Sequence, residues 1–300
     1  MNWLPLALLT AFSTATTDVV IKARFAHLSP QDMMAIRAAA PVPFLLLPLM
    51  FMPWPKLTLA FWETLSILLP LEILALFFYM KAIKTSPLSL SVPFLAFTPA
   101  FTVLTGWLIL GERINLRGMV GILFTVAGAY LLHFRSNTPG VLQTLRIAIK
   151  DGGSRLMFFV SAVYSVTSVL GKKAVSESGP FFFACFYFVI LGLATIMIFC
   201  VIPGVFRWCL RGRPRCRAAS AIMGGWRALI AAGFSQSVMV VSHMWAIHLV
   251  AAAYMIAVKR TSAIFSVLYG RFVFSEDETL KRLIGAGLMT LGVALIMITD

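Results

Sequence analysis

The sequence predicts an all-α membrane protein whose ten transmembrane helices form two inverted five-helix repeats. Three observations carry that prediction: the composition, the spacing of the apolar stretches, and a self-similarity between the two halves. Of 300 residues, 60% are hydrophobic and 12% charged, and the mean hydropathy is +0.92. A soluble domain carries about 25% charged residues, so this chain is built for lipid. A bilayer core takes about 20 apolar residues per helix, which leaves room for ten spans with short connections.

The spans follow in order. Residues 3–21 lack a basic leader and a small-residue cleavage site, and are read as a span, not a removed signal segment. Leu28-Ser29-Pro30 leads into 33–52, Pro53-Trp54-Pro55 into 62–83, and Ser86-Pro87 into 88–110. Gly111-Glu112-Arg113 precedes 116–134. A polar connection, 135–155, contains Asn137-Thr138-Pro139-Gly140 and Asp151-Gly152-Gly153. Its Leu142, Leu145 and Ile149, with Arg146 and Lys150, suit either a short basic helix on the membrane surface or a plain tether. Beyond it lie 156–175, 180–202 after Ser178-Gly179-Pro180, 226–249, 253–274 and 283–299. The expected division is a first repeat over 1–134, a cytoplasmic linker over 135–155 and a second repeat over 156–300.

An offset of 164 aligns 79–132 with 243–296 without a gap, pairing Glu112 with Glu276, Gly121 with Gly285 and Gly128 with Gly292. Apolar matches alone would be weak, but a glutamate followed by glycines at plus nine and plus sixteen, twice, is specific. An offset of 150 extends the repeat upstream through Thr17/Thr167, Lys22/Lys172 and Pro30/Pro180. An odd number of spans per repeat makes the second half enter from the opposite side. The glycines share one helical face and permit close approach of a neighbouring helix. Glu112 and Glu276 are expected to accept bonds from the first amides of the helix that follows each.

Lys and Arg placement sets orientation. One set of connections carries Lys22, Arg24, Lys81, Lys84, Arg135, Arg146, Lys150, Arg155, the run Arg207 to Arg217, Arg271, Lys281 and Arg282. The other carries Lys56, Arg113, Arg117, Lys172 and Lys173. The first set is expected in the cytoplasm, with both termini outside. The net charge of +14 and the arginine run read as topology determinants touching anionic headgroups, so membrane lipids, not nucleic acid, are the expected partners. The cysteines show no metal-ligand spacing, and neither a metal nor a cofactor is expected. Methionines and phenylalanines are read as packing or lipid-facing residues.

The loop carrying Pro87, the span ending Gly111-Glu112-Arg113, the helix Gly121…Gly128 and their echo at Glu276 and Gly285…Gly292 resemble the drug/metabolite transporter superfamily, in its ten-helix EamA-type branch. The resemblance covers nearly the whole chain. It implies export or exchange of small metabolites by alternating access, with helices one to four and six to nine around a central cavity and five and ten at the periphery. A narrower resemblance is carried by Val258-Lys259-Arg260-Thr261, which is similar to the helix-nine motif with which triose-phosphate-type translocators bind substrate phosphate. The repeat-equivalent of Lys259 is Leu95, so the second phosphate-binding lysine of that group is absent here.

Lys259 and Arg260 lie well inside a span, where each charge costs about 2.5–3.5 kcal/mol on insertion scales. At 1.5 Å per residue, Lys259 is roughly 9 Å below its membrane face and Glu72 about 15 Å below the same face. His243 approaches that level from the other direction, and Pro70, two residues before Glu72, is expected to kink the helix. Lys259, Arg260, Glu72, His243 and Tyr79 are therefore the candidate substrate-binding residues. Asp18, Lys22 and Arg37, with Tyr79 and hydroxyls of Thr14, Thr16 and Thr17, form a candidate salt-bridged gate. Tyr164, Tyr187 and Tyr254 either line the cavity or mark interfaces.

The expected function is secondary transport, as exporter or exchanger, of a small anionic or zwitterionic metabolite. Glu72 then serves as counter-ion or carrier of a coupling proton. The alternative class is a membrane-embedded enzyme or lipid-handling protein. The sequence shows no nucleophile elbow, paired-histidine metal motif or phosphate loop, so no catalytic residue is assigned. A multi-pass place in a cell membrane, the bacterial inner membrane, and a monomer or homodimer complete the reading.

Overall fold

The computed structural model describes residues 2–25, 27–86, 92–132, 151–198, 225–274 and 280–298, and every regular element among them is helical. The first repeat contains α1 (Trp3–Phe25), α2 (Pro30–Ala39), α3 (Val42–Phe51), α4 (Leu59–Thr85), a 3-10 turn (Val92–Phe97), α5 (Thr98–Leu110) and α6 (Leu116–Leu132). The second contains α7 (Gly152–Ser178), α8 (Pro180–Ile196), α9 (Trp226–Leu249), α10 (Ala252–Lys259), α11 (Ser262–Phe274) and α12 (Leu280–Met297). Helices α1, α4, α7 and α9, and the segment Asp32–Phe51 that joins α2 to α3, are each long and apolar enough to cross a bilayer. The other spans contain shorter apolar helices. The arginine run Arg207 to Arg217, Glu276 and all of the expected linker before Asp151 lie outside the described residues.

Short polar side chains start the helices at the turns read from sequence. The Ser29 hydroxyl accepts from the Asp32 amide at 3.2 Å, with Pro30 at the first helical position. Thr58 accepts from the Phe61 amide at 3.2 Å. Asp151 accepts from the Ser154 amide at 2.7 Å, and the Ser86 hydroxyl donates to the same carboxylate at 2.6 Å. Burial opposes ionisation of Asp151, but hydrogen bonds from Ser86, Ser154 and the Gly153 amide outweigh it and hold the carboxyl below its ordinary range. That contact ties the end of α4 to the start of α7.

Three spans expected as single helices are interrupted. The second breaks at Ala40-Pro41, between α2 and α3. The fourth opens with the 3-10 turn before α5, and the ninth breaks at Arg260-Thr261, between α10 and α11. Pro70, by contrast, sits within a continuous α4. Packing follows a two-fold pattern in which span n corresponds to span n+5. Helix α1 lies along α9 as α4 lies along α7; α1 packs on α10 and α11 as α7 packs on the 3-10 turn and α5. The second span faces the seventh, and α6 faces α12, across the axis itself.

The α6–α12 seam shows the inversion directly. A Cβ on Gly121 would lie 2.8 Å from the Gly292 carbonyl oxygen, and one on Gly128 would lie 2.6 Å from the Gly285 carbonyl oxygen. Ascending α6 therefore means descending α12, so the two helices are antiparallel. The repeat offset exchanges Gly121 with Gly285 and Gly128 with Gly292, which turns each contact into the other. A two-fold axis perpendicular to the helices does this, and a parallel repeat cannot. With no hydrophobic drive between helices in lipid, backbone proximity of this kind is what holds such a pair together.

Glu112 does something other than cap its own next helix. Asn115 caps α6, accepting from the Gly118 amide at 2.8 Å. Gly111, at φ 68°, reverses the chain after α5, and Glu112 turns back beneath Gly106, whose Cβ position is 3.1 Å from Glu112 Oε2. One carboxylate oxygen accepts from Lys172 Nζ of α7. The other accepts from the Ala252 amide at the start of α10, at 3.0 Å, and Lys172 also donates to the Val250 carbonyl at 2.6 Å. A side chain of the first repeat thus clips two spans of the second.

Gly128→Leu is expected to force α6 and α12 apart and to cost about 1–3 kcal/mol, the usual range for overpacking, seen as a lower thermal unfolding temperature in detergent. Gly287→Ala, on the same α12 but with nothing within 4 Å of the added Cβ, should be neutral or raise stability by about 0.5–1 kcal/mol. Glu112→Ala should lose about 1–3 kcal/mol, since it abandons a charged and a backbone donor together. Glu112→Gln, which keeps an acceptor for the Ala252 amide, should lose less in the same melting experiment.

Candidate functional site

The interrupted ninth span builds the centre of the site. The Arg260 amide donates to the carbonyls of Ile256 at 3.2 Å and Ala257 at 3.1 Å, and the Thr261 amide donates to Val258 at 2.9 Å. These bonds tighten the last turn of α10 and close it, and α11 starts afresh at Ser262. Lys259 therefore stands at a helix C-terminus, where carbonyl dipoles favour a cation. Ser262, Ala263 and Ser266, from the first turns of α11, face the same space, while the Ala263 and Ile264 amides donate to the Arg260 and Thr261 carbonyls at 3.0 and 2.9 Å.

That space is a cavity of about 240 Å³. Lys259, Arg260, Glu72, His243 and Tyr79 all line it, as do Asp18 and Arg37. Lys22 does not: it is exposed, one turn beyond Asp18 on α1. Of the threonines grouped with the gate, Thr14 lines the cavity. Thr16 instead contacts the Tyr269 hydroxyl at 2.8 Å, and Thr17 donates to the Ser13 carbonyl at 2.9 Å. Tyr164 and Tyr187 line the wall, whereas Tyr254 is buried, with its hydroxyl packed on Gly118 of α6.

Arg260 is held from across the repeat boundary. Its Nη2 donates to Thr98 Oγ1 at 2.8 Å, and that hydroxyl donates onward to the Leu95 carbonyl at 2.7 Å. Arg260 Nε is buried without a hydrogen-bond partner among the described residues. The ion pairs among the described residues are Arg37–Asp18 and Lys172–Glu112, so neither Lys259 nor Arg260 is neutralised by a described carboxylate within 4 Å. Glu72 lies within hydrogen-bonding reach of Thr167, with Lys259 as its attractive charged neighbour. Tyr79 and Tyr164 stand beside the Arg37–Asp18 pair. The Asp18 side chain is 38% exposed, while His243 and Tyr187 are 6% and 2% exposed. Asp18 is thus more open than either of these two positions.

Two lining residues carry unpartnered polar atoms: Gln236, which is not among the candidates read from sequence, and Tyr187, read there as lining the cavity or marking an interface. Gln236 Oε1 and Tyr187 Oη are buried without partners among the described residues. The repeat offsets point at both: Gln236 corresponds to Glu72 at 164, and Tyr187 to Arg37 at 150. The same operation pairs His243 with Tyr79, Ser168 with Asp18, and Lys259-Arg260 with Leu95-Ala96, and every one of these residues lines the cavity. The cavity is thus symmetric in backbone and asymmetric in charge, with its acids in the first repeat and its unpaired cations in the second. An interrupted span that brings Lys259, Arg260, Ser262 and Ser266 to one cavity wall can hold a small anion by charge and hydrogen bonds together.

Comparison with known proteins accords with this architecture. One solved crystal structure, whose description says only "Crystal structure of protein", superposes with a TM-score of 0.71 over 99% of this chain and 96% of that one, at 14% identity. That likeness concerns the fold alone. No curated protein matches the chain in sequence. The model of the EamA-like transporter family matches residues 1–134 and again 152–298. Two copies of one family unit, joined antiparallel at a glycine seam and enclosing a polar cavity in an apolar bundle, account for nearly the whole sequence: the chain belongs to the EamA-like transporter family, a family of membrane transporters.

Proposed function

We propose that the protein is a secondary transporter that carries a small organic anion, with or without a compensating positive group, through the central cavity by alternating access, as exporter or exchanger. The observation that carries this reading is the break at Arg260-Thr261, which brings two cations without described counter-ions and the start of α11 to one cavity wall. Arg260 offers a planar fork to a carboxylate or phosphate, and Lys259 a movable point charge. The likeness of this pair to the triose-phosphate translocator motif supports an anion; the apolar Leu95 at the equivalent position argues for one less highly charged than a phosphate dianion. Glu72 balances Lys259 between substrates, or takes the proton that accompanies one.

The Asp18–Arg37 pair, with Tyr79 beside it and Lys22 at the rim, is the gate on its side of the cavity. By Lys and Arg placement that side faces the cytoplasm. A multi-pass protein of the bacterial inner membrane, as monomer or homodimer, fits the charge distribution. The cavity volume suits a solute well below the drug-sized ligands that occupy larger sites.

In proteoliposomes, Lys259→Ala and Arg260→Ala are expected to reduce substrate uptake strongly while the protein still inserts and folds. Arg260→Lys, which keeps charge but loses the fork, should weaken apparent affinity about tenfold. If both alanine variants transport like the unmodified protein, the anion site lies elsewhere. Restoration of stability and transport by removing Glu72 together with one cation would identify Glu72 as a counter-ion, not a proton carrier.

Topology is tested separately. A cytoplasm-dependent fluorescent reporter fused at residue 300 should stay dark, and one inserted in 207–217 should light up. The reverse pattern would invert the assignment of the gate.

A further inference from the structure

Three neutral polar groups on the cavity wall lack the partners that buried groups almost always have. Tyr187 Oη, Gln236 Oε1 and His243 Nδ1 have no hydrogen-bond partner among the described residues. Their residues are 2%, 7% and 6% exposed, and all three line the cavity. Leaving one such atom bare forfeits its hydration with no return. Three on one wall are a pattern, and all three belong to the second repeat.

The pseudo-two-fold shows what they lack. Their counterparts in the first repeat are Arg37, Glu72 and Tyr79. Arg37 has Asp18 as its partner, and Glu72 has Thr167 within reach. The residue at the Asp18 position in the second repeat is Ser168, whose hydroxyl donates at 2.6 Å to the Tyr164 carbonyl and is not a partner of Tyr187. Arg37 is satisfied within its own repeat and Glu72 has a neighbour across the boundary on α7, whereas the corresponding second-repeat groups have no described partner.

Their placement gives a length and a chemistry. Gln236 and His243 are seven residues apart on α9, hence on one face and about 10 Å apart along the axis. His243 has Lys259 and Arg260 as charged neighbours, whereas Tyr187 neighbours Glu72 and Tyr164. An anionic group held at Lys259 and Arg260 therefore leaves the rest of the molecule along Tyr187 and Gln236. Gln236 Oε1 can only accept, whereas a tyrosine hydroxyl and a neutral imidazole nitrogen can donate or accept. A hydroxyl can donate to the first and exchange either way with the other two, and an alkyl tail would leave all three bare. The cavity of about 240 Å³ lies below the range of drug-sized sites, which suits a small polyol.

We propose that the substrate is a small hydroxylated organic anion, and that Gln236 and Tyr187 select for its hydroxyls. This rests on the anion reading of Lys259 and Arg260. The test is thermal-shift titration of the full-length protein in detergent with two matched pairs: glycerol 3-phosphate against propyl phosphate, and gluconate against hexanoate. The pair that binds identifies the anionic group as phosphate or carboxylate. Within it, the hydroxylated member should bind at least about tenfold more tightly, the worth of one directed hydrogen bond. Gln236→Leu should bring that ratio towards one and raise the melting temperature of the unliganded protein, because it removes a bare polar atom; Tyr187→Phe should lower the ratio too. Equal binding of both members by the unmodified protein, or an undiminished ratio in both variants, overturns the hydroxyl selection while leaving the anion site standing. Binding of none of the four overturns the anion reading and this one together.

Discussion

Inside a bilayer no water completes an open backbone hydrogen bond, so a helix can break only where protein or a polar cavity meets the freed groups. That constraint governs the layout of this molecule. The breaks at Ala40-Pro41, before Thr98 and at Arg260-Thr261 all border the cavity: Pro41, Leu95, Ala96 and Arg260 are among its lining. Short-range bonds within the turn at Arg260 and the Thr98 hydroxyl beneath its guanidinium absorb what the interruption frees.

The two-fold relation then decides where charge can reside. Backbone correspondence brings each lining position into the cavity twice, once per repeat, and side-chain divergence makes the two occurrences different. Asp18 faces Ser168, Arg37 faces Tyr187, and Leu95-Ala96 face Lys259-Arg260 in this bookkeeping of equivalents. One end is a closed ion pair, and the other is a set of neutral groups and open cations. The Glu112–Lys172–Ala252 clip, whose residues are not part of the cavity lining, fastens the first repeat to the second and fixes the frame within which this asymmetry operates.

Much of this was legible in the sequence because periodicity and spacing are local. The apolar lengths gave the spans, and the glutamate–glycine spacing marked the faces that meet at α6 and α12. Depth along a helix placed Glu72, His243, Lys259 and Arg260 near one level, and all four line the cavity. What was not legible depends on neighbours distant in sequence. Nothing between Ala257 and Ala263 is proline or glycine, so the break there carries no local mark. Glu112 was expected to cap the helix after it, yet its partners are 60 and 140 residues away. Tyr254 reads like the other tyrosines, and only packing against Gly118 distinguishes it.

The seam between α6 and α12 bears on how such a chain can change. Two separate copies of one five-helix protein, assembled about the same axis, would form the same interface. In that assembly every substitution falls twice, once on each side, and a cation acquired at one cavity wall is mirrored by a second facing it across the axis. Covalent fusion of the halves removes that doubling. Lysine and arginine can then occupy one wall while leucine and alanine remain on the other, and a glycine lost from one crossing leaves its twin crossing intact. With both units in one chain each half can mutate on its own, and an uneven distribution of charge across the axis is something no strictly symmetric pair of identical chains can encode.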